Sequence, residues 1–169
     1  SKSRLDGLLL SPVELEVVRV DASAWSRFAP YHYLSRSLSR SASCYVALVD
    51  SEAVAFVGIR YQPLGAAPSW YLHRIVTRPE WQGLGGGLAL TEWVAAEFQR
   101  RSPHRVRLPT RHPGLVKALA RSPRWRCVRP MGSSTGQRRR KGHRDPMFAR
   151  GAVAALRGEV TAAFEWVGS

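Results

Sequence analysis

Gln82-Gly83-Leu84-Gly85-Gly86-Gly87 is a run of the kind that binds an anion with its backbone. Glycine lacks a Cβ, so successive N–H groups can close on a phosphate. A helix that begins inside or just after such a run adds its unpaired first-turn N–H groups and the positive end of its dipole. Arg78, just upstream, is placed to add a side-chain cation. The groups that could move a proton lie before the turn. His73 has an intrinsic pKa suited to a base near neutrality, with a hydrogen-bonded structural histidine as the competing reading. Arg74 stands next to it, Glu80 is the nearest carboxylate, and His32 and Tyr33 form an earlier pair of polar aromatics. Two familiar phosphate turns do not fit. A dinucleotide fingerprint needs a third glycine where this chain has Leu88, and a P-loop closes on Gly-Lys-Ser/Thr, which is absent here.

The elements around the run are a strand before it and a helix after it. Tyr71, Leu72, Ile75 and Val76 supply aromatic and β-branched content for the strand, which breaks at Pro79. In a regular strand the side chains of His73 and Arg74 point to opposite faces. From Leu88 the spacing of Leu88, Leu90, Trp93, Val94 and Phe98 predicts a helix with those residues on its core face. Elsewhere, residues 13–20 read as a first strand, and Asp21 or Ser23 can cap a short helix through Trp25 and Phe28, ended by Pro30. Residues 31–34 follow in a loop or short helix, and the Ser/Arg segment 35–43 is an expected substrate-facing lid. Residues 43–50 and 53–61 read as a β-hairpin, 105–108 as a short strand, and 110–121 as a helix with Leu115, Val116 and Leu119 inward. Residues 125–128 and 160–167 read as the last strands.

The Q-x-x-G-x-G turn at 82–87, after a strand ending Val76-Thr77-Arg78-Pro79, resembles motif A of the GNAT acyltransferases. The order β-α-β-β-β-α-β-α-β-β is similar to the GNAT layout over nearly the whole chain. The resemblance implies an α/β fold: a single GNAT domain over 1–169, with a mixed, mostly antiparallel twisted sheet flanked by helices. It also implies acetyl-CoA or another acyl-CoA as donor, no metal, and transfer of the acetyl group to a primary amine. Ile75 and Val76 would offer a backbone N–H to the thioester oxygen. Thr77, Arg78, Gln82, Gly83, Leu84, Gly85, Gly86 and Gly87 would hold the pyrophosphate. Many GNAT enzymes protonate the departing thiolate with a Tyr on the last helix; no Tyr follows Thr110, which leaves the role vacant or to His112. A weaker resemblance, in His32-Tyr33 and in Arg74 before Ile75-Val76, is to Mom-type phage proteins, GNAT-fold proteins that modify adenine in DNA.

Composition adds a partner. The chain has 26 Lys+Arg against 12 Asp+Glu, net +14, and between Glu97 and Glu159 the only acid is Asp145. Charge of this size suits a polyanion, nucleic acid first, through the Arg/Lys-rich region 100–150; an Arg-rich composition that serves only solubility competes with that reading. A basic, flexible insertion is expected at about 131–150, with Arg138, Arg139, Arg140, Lys141 and Arg144. No apolar run approaches a membrane span, and the N-terminus lacks both a signal-peptide layout and an initiator Met, as in a trimmed or processed chain. Cys44 and Cys127 are far apart and fit buried thiols in the reducing cytoplasm of a bacterial or phage-infected cell. The expected function is therefore acyl-CoA-dependent N-acetyl transfer to a primary amine on a modified DNA base. Alternatives are a small-molecule or protein amine as acceptor, or a non-catalytic nucleic-acid-binding protein of the same fold.

Overall fold

Alternation of apolar residues sets the register of an antiparallel sheet in the first of two compact units, 1–106 and 107–169, into which the chain divides. The computed structural model describes residues 14–32, 37–63, 67–130 and 161–168; Tyr33 and the expected basic insertion lie outside them. Strands β1 Glu16–Val20, β2 Ser43–Val49, β3 Glu52–Gln62 and β4 Ser69–Thr77 pair in that order. The β2–β3 hairpin turns on Asp50 (φ 48°) and Ser51 (φ 67°), two successive left-handed residues, as a tight hairpin turn with the right-handed strand twist requires.

The expected early helix is a pair of 3₁₀ turns, Ala22–Arg27 and Ala29–Tyr31. Asp21 caps the first, its carboxylate accepting from the Ser23 N–H at 2.8 Å, and Pro30 lies inside the second, where its missing N–H costs no bond. These turns place Trp25, Phe28 and Ala29 on one face of the sheet, against Cys44, Val46, Phe56 and Val76. The opposite face takes helix α1, Gly86–Arg101, which packs on β2, β3 and β4 and buries Leu90, Thr91, Val94 and Ala95. Trp93, expected in that core, is 45% exposed and rests its ring on Tyr45 at 5.8 Å. The buried stripe is made by smaller residues, because α1 lies close to the sheet where Ala95 and Thr91 face it.

The second unit holds β5 Arg105–Thr110 from Arg107 onward, helix α2 Pro113–Arg121, β6 Trp125–Arg129 and β7 Ala162–Trp166. Its strands pair antiparallel as β5-β7-β6. Leu108, Phe164, Trp166, Trp125 and Leu119 are buried, and the rings of Trp125 and Trp166 meet edge to face at 5.1 Å. Of the two thiols, Cys44 is buried as expected, but Cys127 is exposed, because β6 pairs on one side only. The fold is thus α/β, with every strand pair inside each unit antiparallel and with helices alongside the strands.

Candidate active site

The site is built on an irregularity in β4. Its ladder with β3 runs Ser69↔Gln62 to His73↔Gly58 and resumes at Ile75↔Val57, leaving Arg74 as the extra residue of a β-bulge. Arg74 is left-handed, with φ 60°, a conformation that costs a side chain about 1–2 kcal/mol. Gly58 makes room for the distortion: a Cβ there would lie 2.7 Å from the His73 carbonyl oxygen. The bulge ends the strict alternation of the strand and corrects the expectation that His73 and Arg74 point to opposite faces. Both reach the same segment: His73 Nε2 accepts from the Ser39 N–H at 3.3 Å, and Arg74 Nε donates to the Ser37 carbonyl at 2.7 Å. Part of the expected lid is therefore tied to β4.

His73 is held neutral. Burial, followed by the charges of Arg74, Arg60 and His32, pulls its pKa down to about 4. His32 packs the edge of its ring on Trp25 at 5.7 Å.

The glycine turn follows the last residues of β4. Arg78 donates its N–H to the Val54 carbonyl at 2.9 Å, which closes the strand, and a 3₁₀ turn at Pro79–Trp81 leads on to Gln82. The Gln82 side-chain amide returns to the Thr77 carbonyl at 3.1 Å, so it folds the turn. Gly83 (φ 83°) and Gly85 (φ 84°) are left-handed with open space where a Cβ would stand, and Gly85 is the N-cap of α1. Leu84 between them is 69% exposed. No side chain caps α1, so its first N–H groups remain available to a ligand. Gly87 is required for a different reason: a Cβ there would overlap Thr77 Oγ1. A cradle whose walls a single methyl group would fill fits the diphosphate of an acyl-CoA.

Arg78 is not a bare cation. Its guanidinium pairs with Glu52 at 2.6 Å and with Glu80 at 3.1 Å, so Glu80, expected as a candidate base, is an exposed partner of Arg78. Arg78 and Glu52 also line a cleft of about 430 Å³ with Arg27, Phe28 and Tyr31. His112 lies in the second unit and is occupied with folding: its Nδ1 accepts from the Leu115 N–H at 3.2 Å as the N-cap of α2. Ile75 is half-buried and Val76 is in the core against Phe56. The first unit thus brings His73, Arg74, Ile75, Val76 and the turn together along one strand and its exit.

Sequence reasoning did not single out Ser37, Ser39 or Gly58. A glycine in the middle of an apolar strand was the available signal, since it marks a bulge or a close backbone approach. Among the described residues there is no cluster of His, Cys, Asp or Glu able to hold a metal, and no helix long and apolar enough to cross a membrane.

Comparison with known proteins agrees with the geometry. The family model described as acetyltransferase (GNAT) family matches residues 14–120. No curated protein sequence gives a significant match. Among solved structures, the chain is similar to the ribosomal-protein-S18-alanine N-acetyltransferase of Escherichia coli, at 15% identity and TM-score 0.56 over 90% of this chain and 93% of that one. It is also similar to Arabidopsis thaliana Naa50 in complex with the bisubstrate analogue CoA-Ac-MVNAL, at 13% identity and TM-score 0.51 over 64% and 79% of the two chains. A third similarity is to the GCN5-related glucosamine N-acetyltransferase region of a fungal multi-domain β-N-acetylglucosaminidase, at 14% identity and TM-score 0.54; 70% of this chain is covered, but only 18% of that larger one. With the family model covering well over half of its length, the chain belongs to the acetyltransferase (GNAT) family of N-acetyltransferases.

Proposed function

We propose that the protein transfers an acetyl group from acetyl-CoA to a primary amine carried by a nucleic acid. The observation that supports the donor is the turn from Gln82 to Gly87, with two left-handed glycines and an uncapped helix start directly after the bulged strand. Bound there, the thioester supplies an activated acetyl carbon. The chain's residues supply placement: Gly83, Gly85, Gly86 and Gly87 take the diphosphate, and the N–H groups of the Ile75–Val76 stretch face the carbonyl oxygen as it gains charge. The amine nitrogen bonds to the acetyl carbon as the carbon–sulfur bond breaks, and the proton lost from nitrogen balances the one gained by sulfur.

His73 is a poor base for that proton. Its Nε2 already accepts the Ser39 N–H and its pKa of about 4 leaves it little affinity for a proton at neutrality. His32, near enough for its charge to oppose protonation of His73, is the better acceptor on this reading, and His73 and Arg74 serve to hold the Ser37–Ser39 segment. The nucleic-acid acceptor is supported by the net charge of +14 and by the acid-poor stretch between Glu97 and Glu159.

Calorimetric titration with acetyl-CoA tests the donor. Binding in the micromolar range is expected, and none at any practical concentration defeats the proposal. Thiol release with DNA, with a small amine or with a peptide present then separates the acceptor classes. No release with any of them points to a non-catalytic binding protein.

A further inference from the structure

The second unit has two unlike faces. Leu108, Phe164, Trp166 and Trp125 turn inward, and α2 packs on β6 with Leu119 buried. Residues paired across antiparallel strands share a face, and the register places Arg107, Glu165 and Arg126 side by side on the other face. The next rank holds Pro109, Ala163 and Arg129. Arg129 Nε donates to the Thr161 carbonyl at 2.9 Å and Arg111 Nε donates to the Thr161 hydroxyl at 3.0 Å. Four arginines thus surround one glutamate, over a floor of small side chains.

Glu165 lies beneath them. Its side chain is 6% exposed, with Arg126 on Oε1 at 2.7 Å and Arg107 facing Oε2 at 3.5 Å, while Arg126 is 61% exposed. The carboxylate therefore orients guanidinium groups without presenting negative charge to solvent. A fork held in place before binding loses less entropy when it takes a second anion. Strand spacing sets the arginines about 10 Å apart across the face and about 13 Å apart along it, a span of several phosphates rather than one.

We infer that this arginine face of the second unit binds the phosphodiester backbone of a nucleic acid. The inference rests on the nucleic-acid acceptor proposed above and gives it a docking surface. Phosphate contacts of this kind position a strand without reading its bases, so the face orients the nucleic acid rather than selecting a sequence.

The test is fluorescence anisotropy of the full chain with a labelled short DNA duplex, from about 50 to about 200 mM salt, beside calorimetry with acetyl-CoA. Arg126→Ala is expected to weaken duplex binding several-fold and to lower the slope of log affinity against log salt by about 0.9, the loss of one phosphate contact. Arg126→Lys should restore most of the affinity, and acetyl-CoA binding should not change. Lys117→Ala removes one positive charge from exposed α2 and is expected to leave duplex binding as it was. Equal losses for Arg126→Ala and Lys117→Ala would overturn the inference, since overall charge would then suffice. Absence of duplex binding at low salt with normal acetyl-CoA binding also overturns it and leaves the acyltransferase standing. The expected duplex pattern without acetyl-CoA binding upholds the face and defeats the acyltransferase.

Discussion

Gly58 stands directly across from His73 at the bulge, and the His73 carbonyl oxygen comes within 2.7 Å of where a Cβ on Gly58 would be. The contact is with backbone, so no side-chain rotation relieves it. Gly58→Ala is therefore expected to destabilise the protein by about 1–3 kcal/mol, the range for overpacking a tight site. Its urea midpoint should fall, and acetyl-CoA affinity should fall with it as β4 shifts. An unchanged midpoint would show that the bulge does not depend on this approach.

His73 makes stability depend on pH in a defined window. The folded chain holds its pKa at about 4, against an ordinary value of 6.5. Between those values the unfolded chain binds the proton and the folded one does not, so stability rises with pH. The contribution is complete above about pH 6.5 and is lost as pH falls toward 4. His73→Gln keeps an acceptor for the Ser39 N–H without titrating. Wild type should lose stability relative to this variant across the window, by at most about 1.4 kcal/mol per pH unit. Parallel curves for the two proteins would refute the assignment.

Gly87 and Thr77 form a testable pair, since a methyl group on Gly87 would occupy the space of Thr77 Oγ1. Gly87→Ala should lower both the melting temperature and acetyl-CoA affinity, and Thr77→Ala in the same chain should recover part of each. Gly87→Asp should abolish acetyl-CoA binding, because it sets a carboxylate against the diphosphate. A double variant no better than Gly87→Ala alone would place the defect elsewhere.

Glu165→Gln isolates the buried carboxylate between Arg107 and Arg126. Breaking a fully buried pair costs about 3–5 kcal/mol. Here Arg126 is 61% exposed and can turn to water, so a loss of about 1–2 kcal/mol in chemical denaturation is expected. A variant as stable as wild type would mean that the pairs contribute nothing net.

The hairpin, the glycine turn and the helix after it were legible because each is written locally. Asp50-Ser51-Glu52 is a turn between two apolar runs, and glycine spacing sets the cradle whatever surrounds it. The bulge was not legible, since nothing about Arg74 marks it for a left-handed conformation; the signal was Gly58, on the neighbouring strand. The role of His73 was open because a histidine's partners come from tertiary contact, here Ser39. Trp93 and Cys127 were placed inside by residue type alone. Their exposure follows from how closely α1 lies on the sheet and from β6 having a single neighbour.

The extra residue in β4 acts as a shift of reading frame. Leu72 pairs with Ile59 and Val76 with Phe56, so two residues four apart in sequence are buried on opposite sides of one sheet. The same shift turns Thr77 toward Gly87 at the start of α1. Deleting Arg74 would regularise the ladder and yet exchange the sides of everything after it, turning Thr77 away from the glycine turn and presenting Val76 in its place. The position should accept many side chains and no deletion: what it contributes to the cradle is parity.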